Sequence, residues 1–168
     1  MSLWRLVVCW LLLVLVVVDF GHAKKKKKKK KTNAKETQTG SNNDSHMLAQ
    51  VQRYLAAAGS AFKEGDWEQA HRVLSTGIEQ FPTVAQLYSV RASVAVAHAT
   101  DQHEFEQVIA DYQQAISLNP SDEEALINLG VTYTKLQRYS DSIQYFDAVL
   151  QLNPNSENAL SYKDRKSV

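Results

Sequence analysis

Histidine and acidic side chains that could bind a metal or transfer a proton come together at one place in this 168-residue sequence. His98 and His103 flank a short polar segment that holds Asp101, and Glu104 follows His103 directly. Their spacing matches none of the helical histidine motifs that ligate zinc, and the single cysteine, Cys9, is far away in an apolar stretch. The chain also has no glycine-rich phosphate loop, nucleophile elbow or Cys/His dyad. We therefore predict a solvated loop here, and no catalytic residue, cofactor, metal site or enzyme activity.

The first 23 residues have the layout of a secretory signal peptide. Arg5 precedes the uncharged apolar run Leu6 to Val18, and small residues flank His22 as they would at a cleavage site after Ala23. The run is shorter than the ~20 residues that span a bilayer comfortably, which favours cleavage and a product that is lumenal in the endoplasmic reticulum or secreted. Eight lysines follow, Lys24 to Lys31, and this charge favours instead a short membrane anchor with the rest of the chain in the cytoplasm. Both interpretations stay open.

Residues 24–46 are predicted to be a disordered polar linker. Its lysine run, Lys24 to Lys31, could attract an anionic membrane surface, so a membrane-tethered adaptor is one functional alternative. Asn43 begins the glycosylation sequon Asn43-Asp44-Ser45, which matters only in a lumenal product. Residues 48–156 carry six Lys/Arg against thirteen Asp/Glu, and this acidic balance argues against specific binding of nucleic acid.

All three prolines follow apolar helical segments, and their spacing indicates an internal repeat. Pro82, Pro120 and Pro154 are separated by 38 and then 34 residues. An aromatic residue lies fifteen positions before each proline, a large apolar residue eight before it, and Ile or Leu four before it. These offsets put the side chains on one face of a helix. They are Trp67, Leu74 and Ile78, then Phe105, Tyr112 and Ile116, then Tyr139, Phe146 and Leu150.

A second pattern marks the helix that precedes each of these segments. Small residues that allow close helix packing recur in register, as Ala58 and Ala61, Ala92 and Ala95, and Gly130. The middle unit fits if its interhelix turn holds four extra residues, so the units are residues 51–84, 85–122 and 123–156. This 34-residue unit resembles the tetratricopeptide repeat family. The third unit is the most similar, through Asn128-Leu129-Gly130, Tyr133, Tyr139, Phe146 and Asn153-Pro154.

The resemblance implies an all-α fold, a right-handed α-solenoid of three helical hairpins in residues 47–168, closed by a capping helix at about residues 156–166. Arg91 departs from the pattern because it stands where the third unit has Leu129, and we expect its stem to be buried with the guanidinium reaching solvent or an acid.

The resemblance further implies a non-catalytic scaffold that binds a peptide or helix segment of another protein in a concave groove lined by the first helix of each unit. The candidate groove residues, by exclusion from the packing positions, are Leu55, Ala56, Gly59, Phe62, Ser89, Val90, Ser93, Val96, Ile127, Asn128, Val131, Thr134 and Lys135.

One branch of the family uses lysine, asparagine and arginine to hold the terminal carboxylate of heat-shock chaperones. The matching positions here are Leu55 and Gly59 in the first unit and Glu124 and Asn128 in the third, and none of them is basic. We therefore predict that the chain does not bind the C-terminal tails of those chaperones. A further functional alternative is that the repeats are the interaction arm of a longer enzyme.

Overall fold

A computed structural model describes the backbone of residues 38–164 and the side chains of residues 44–162. The predicted leader and the lysine run lie outside the described residues. The described part contains seven helices and no strand, which confirms the all-α prediction. The helices are α1 Gln38–Lys63, α2 Trp67–Gln80, α3 Ala85–Val96, α4 Gln102–Leu118, α5 Glu123–Lys135, α6 Tyr139–Leu152 and α7 Glu157–Asp164.

The first helix begins earlier than predicted. Residues 38–46 lie in this helix, whereas the sequence prediction placed them in the polar linker. The side chains of residues 44–49 are all exposed, Met47 and Leu48 among them. An extension without an inward-facing apolar stripe produces no helical periodicity, which is why the sequence pattern did not reveal it.

Consecutive helices pair into antiparallel hairpins. The second half of α1 meets α2 through Tyr54, whose side chain lies against Gly77. The turn between them uses Gly65 at φ 84° and Asp66, whose carboxylate accepts a hydrogen bond of 2.8 Å from the backbone N–H of Gln69. The pairs α3 with α4 and α5 with α6 form the second and third hairpins.

The hairpins share their cores with their neighbours. One cluster joins the second hairpin to α5 and contains Ala92, Val108, Ile109, Tyr112, Ala115, Ala125, Leu129 and Tyr133. Another joins the third hairpin to α7 and contains Leu126, Phe146, Val149 and Ala159. Because each hairpin leaves one apolar face for the next, the stack is stabilised by contacts between neighbouring units.

The last helix covers the end of the stack, as predicted. Ala159 of α7 is fully buried, and the ring of Tyr162 stacks on Phe146 with 5.1 Å between centroids. The turn before α7 is tied back to α5, because Ser156 Oγ donates to Glu123 Oε1 at 2.8 Å and Asn153 Nδ2 donates to Glu123 Oε2 at 3.2 Å. These bonds set the direction in which α7 leaves the third hairpin.

Candidate peptide-binding surface

One face of α5 is left half-covered by its neighbours. Ile127, Asn128 and Val131 are half-buried, and Glu124 at the start of the helix is exposed. Spacings of three, four and seven residues put these four side chains on a single helical face. The other faces hold buried residues that form the hairpin core, including Leu126, Leu129 and Tyr133. The exposed part of this face, which includes the apolar side chains of Ile127 and Val131, is therefore available to a ligand.

The corresponding face of α3 is also half-covered. Ser89, Val90, Ser93 and Val96 are all half-buried. Val96 packs against the core cluster of the second hairpin. The Ser89 hydroxyl is buried and has no hydrogen-bond partner within the described residues. The helix α3 thus contributes mainly apolar surface, at Val90.

Two candidate groove residues also make hydrogen bonds within their own hairpins. The Ser93 hydroxyl lies 3.0 Å from the Tyr112 hydroxyl on α4. The Thr134 hydroxyl donates to the Gly130 carbonyl at 3.0 Å and lies 2.7 Å from Ser142 Oγ on α6. Because these hydroxyls have partners inside their own hairpins, they contribute to the stability of the hairpins, and their part in the groove stays a prediction.

The first helix has the same arrangement in its second half. Leu55, Gly59 and Phe62 are half-buried, and Ala56 is exposed. Lys135 is exposed at the far end of α5. The side chain of Asn43, the predicted glycosylation site, lies outside the described side chains. The candidate groove residues therefore form three half-covered helix faces that are mostly apolar.

Arg91 is the residue that departs from the repeat pattern. Of the two expected arrangements of its guanidinium, in solvent or beside an acid, Arg91 has the second. Its Nε donates to Asp111 Oδ2 at 2.7 Å and its Nη2 to Asp111 Oδ1 at 2.7 Å, while Nη1 donates to Ser75 Oγ at 3.1 Å. The guanidinium thereby links α3 with α2 and α4 and is satisfied within the fold. His71, one helical turn before Ser75, has a pKa lowered by burial and by the positive charge of Arg91. These polar groups belong to the junction of the first two hairpins.

The segment of acids and histidines forms a helix cap. Asp101 Oδ1 accepts from the Glu104 backbone N–H at 2.8 Å, and Glu104 Oε2 accepts from the Thr100 N–H at 2.6 Å. The hydrogen bonds that the Glu104 carboxylate accepts from the Thr100 and Asp101 backbone N–H groups lower its pKa. The ring of His98 stacks on Trp67, with 4.9 Å between ring centroids. Within the described residues no group of His, Cys, Asp and Glu is arranged to hold a metal ion.

No helix among the described residues is both long enough and apolar enough to span a bilayer.

Two family models match the repeats. One, described as tetratricopeptide repeat, matches residues 123–156, and the other, described as TPR repeat, matches residues 100–137. Protein O-mannosyl-transferase Tmtc3 of Drosophila melanogaster is 29% identical over 101 residues, which make up 60% of this chain and 10% of that protein. Superkiller protein 3 of Saccharomyces cerevisiae is 31% identical over 101 residues, or 58% of this chain and 7% of that protein. The chain thus spans a tenth or less of these relatives.

Solved TPR domains have the same right-handed solenoid fold. The second TPR domain of human RPAP3, solved in complex with the HSP70 peptide SGPTIEEVD, superposes with a TM-score of 0.64 at 25% identity, covering 73% of this chain and 98% of that domain. The second TPR of Spaghetti (RPAP3), bound to the HSP90 peptide SRMEEVD, gives 0.55 at 26% identity, covering 68% and 99%. The Arabidopsis OM64 TPR domain gives 0.63 at 21% identity, covering 72% and 96%. All three neighbours support the predicted fold, and the two peptide complexes support a protein-interaction module. They do not support the prediction that chaperone tails are not bound.

Proposed function

Since the chain belongs to the tetratricopeptide repeat family, we propose that it is a non-catalytic scaffold whose concave groove binds a segment of another protein. The observation that carries this proposal is the half-covered apolar face repeated on α3 and α5, where Val90, Ile127 and Val131 keep part of their surface free. An apolar anchor of a bound segment would complete the burial of these side chains, at about 25 cal/mol for each Å² removed from water. Structural neighbours solved with bound peptides support the same use of the fold.

Charges placed on this face are expected to abolish binding. Val90→Glu combined with Val131→Glu would set two carboxylates where an apolar anchor must lie, and desolvating an unpaired charge costs several kcal/mol. The measurement is selection of peptides from a random displayed library by the purified 168-residue chain and by the double variant. We expect enrichment by the wild-type chain and none by the variant.

Ala110→Glu is the matched control, because Ala110 is exposed on α4, outside the candidate groove residues. It should enrich the same peptides as the wild-type chain. Val131 also packs beside the core of the third hairpin, so circular dichroism and thermal unfolding must show that each variant is folded. The milder pair Val90→Ala and Val131→Ala keeps the test valid if the glutamates unfold the domain. Equal enrichment by folded groove variants and wild type contradicts the groove assignment.

The likeness to an O-mannosyl-transferase supports a second candidate, in which these repeats are the interaction arm of a longer enzyme. In this alternative Val90 and Val131 would also contact the bound segment, because the arm would bind through the same groove. The variants above therefore test the binding surface in either setting.

For the compartment, we propose entry into the secretory pathway with cleavage after Ala23, the membrane-anchored form with lysines facing the cytoplasm being the alternative. A cleaved product is expected to begin at Lys24 and to lose mass on glycosidase treatment, through a glycan on Asn43. N-terminal sequencing and a gel-shift assay of the expressed chain measure both. An uncut, unglycosylated membrane protein supports the alternative, and flotation on anionic liposomes after Lys24 to Lys31 are changed to Gln tests the contribution of the lysines.

A further inference from the structure

The groove carries one acidic group that the fold does not use. Asp122 caps α5 by accepting from the Ala125 N–H at 3.0 Å, and Glu123 accepts from Asn153 and Ser156. Glu124, next in the chain, makes no hydrogen bond or ion pair with any described residue. It lies one helical turn before Ile127 and Asn128, so its carboxylate stands at the end of the half-covered face of α5. The fold thus satisfies two of three neighbouring acids and leaves the one beside the groove unpaired.

This unpaired carboxylate is held where a positive charge would stabilise it. Partial desolvation by the neighbouring groups at the start of α5 and the negative charge of Asp122 raise the pKa of Glu124. Among the candidate groove residues the positive charge is that of Lys135, which is eleven residues further along α5, or roughly 16 Å at 1.5 Å per residue. At that distance Lys135 is largely screened from Glu124 in physiological salt.

We infer that the groove binds a protein segment with a lysine or arginine adjacent to its apolar anchor, and that Glu124 pairs with this basic side chain. The inference rests on the proposed groove function and specifies its ligand. Residues 48–156 carry thirteen Asp/Glu against six Lys/Arg, so the field of the repeats also attracts a basic segment. An acidic tail such as SGPTIEEVD, which a structural neighbour binds, carries two glutamates and an aspartate that the same field would repel.

The test measures the charge of the peptides that the folded chain enriches from a random displayed library. We expect the wild-type chain to enrich sequences with Lys or Arg at a fixed distance from an apolar residue. Glu124→Lys should enrich Asp or Glu at that register and should weaken binding of the wild-type consensus peptide about tenfold, measured by fluorescence anisotropy. Glu124→Gln should give an intermediate affinity. The peptide SGPTIEEVD should bind wild type at least tenfold more weakly than the consensus peptide and should gain affinity in Glu124→Lys.

Glu79→Lys is the charge-matched control. Glu79 is exposed on α2, the second helix of the first hairpin, whereas the groove is assigned to the first helices. It changes the net charge equally but should leave the selected register unchanged. Reversing a charge in the first turn of α5 costs ~0.3–1 kcal/mol through the helix dipole, so thermal unfolding should confirm that Glu124→Lys is folded.

The outcomes separate the two proposals. One contrary result is enrichment that depends on Val90 and Val131 without selecting Lys or Arg at a fixed distance from an apolar residue, and another is the selection of acidic peptides. Either result overturns the role of Glu124 and leaves the groove function standing. Equal effects of Glu79→Lys and Glu124→Lys also overturn it, because they indicate long-range attraction without pairing at Glu124. The absence of any groove-dependent enrichment overturns both proposals.

Discussion

Asp111→Ala is expected to lower the free energy of unfolding by about 3 kcal/mol, because it leaves the Arg91 guanidinium largely buried without its counter-charge. The pair is bidentate, and its side chains are only 21% and 16% exposed. Breaking one partner of a fully buried pair costs roughly 3–5 kcal/mol, and the remaining exposure places this pair at the lower end. Chemical denaturation followed by circular dichroism measures the loss.

Restoring an apolar pair should recover most of this stability. The third unit has Leu129 and Tyr145 at the positions of Arg91 and Asp111, so Arg91→Leu with Asp111→Tyr transplants that pair into the second hairpin. Asp141→Ala is the surface control, since its ion pair with Arg138 is far more exposed, and it should cost less than about 1 kcal/mol. If Asp111→Ala costs no more than Asp141→Ala, the link between α3 and α4 does not stabilise the stack.

Gly130→Val is expected to destabilise the third hairpin by about 3 kcal/mol. A Cβ at this position would lie 2.8 Å from Phe146 Cε1 and 2.9 Å from its Cζ, whereas carbon atoms pack at about 3.5–4.0 Å. The ring is fully buried and stacked on Tyr162, so it has little room to move away. Overpacking of this kind costs roughly 1–3 kcal/mol, and the branched side chain adds atoms beyond Cβ. The midpoint of chemical denaturation reports the effect.

Gly130→Ala gives the matched comparison. Its clash is offset by about 1 kcal/mol of improved helix propensity, so a net loss of about 1 kcal/mol is expected. In a Phe146→Leu background the clash is relieved, and Gly130→Ala should become neutral or stabilising. The same cost in both backgrounds would show that contact with the Phe146 ring does not limit the side chain at position 130.

The hairpins were predictable from the sequence because their determinants are local and repeat. Proline after each second helix, an aromatic residue fifteen positions before it and small residues on each first helix recur in register. Asp66 could be identified as a helix cap from its place just before Trp67. The capping helix predicted at about residues 156–166 is found at Glu157–Asp164.

Contacts between distant residues could not be predicted in this way. Two arrangements of the Arg91 guanidinium were predicted, in solvent or beside an acid, and only the fold brings Asp111, twenty residues away, to it. Glu123 pairs with Ser156 across 33 residues, a contact without a sequence signature. Ser93 and Thr134 were assigned to the groove by exclusion from the apolar packing positions, but a hydroxyl can also be satisfied between the helices of its own hairpin. The exposed start of α1 lacked the periodicity that predicts a helix.

We propose that a partner segment lies on the half-covered faces of the first helices. The most direct measurement is a methyl NMR titration of the chain with a peptide enriched by the wild-type domain. We predict shifts concentrated at Val90, Ile127 and Val131, with little change at Ala110 on α4. Shifts centred on α4 or α6, with the three first-helix methyls unmoved, would contradict the account.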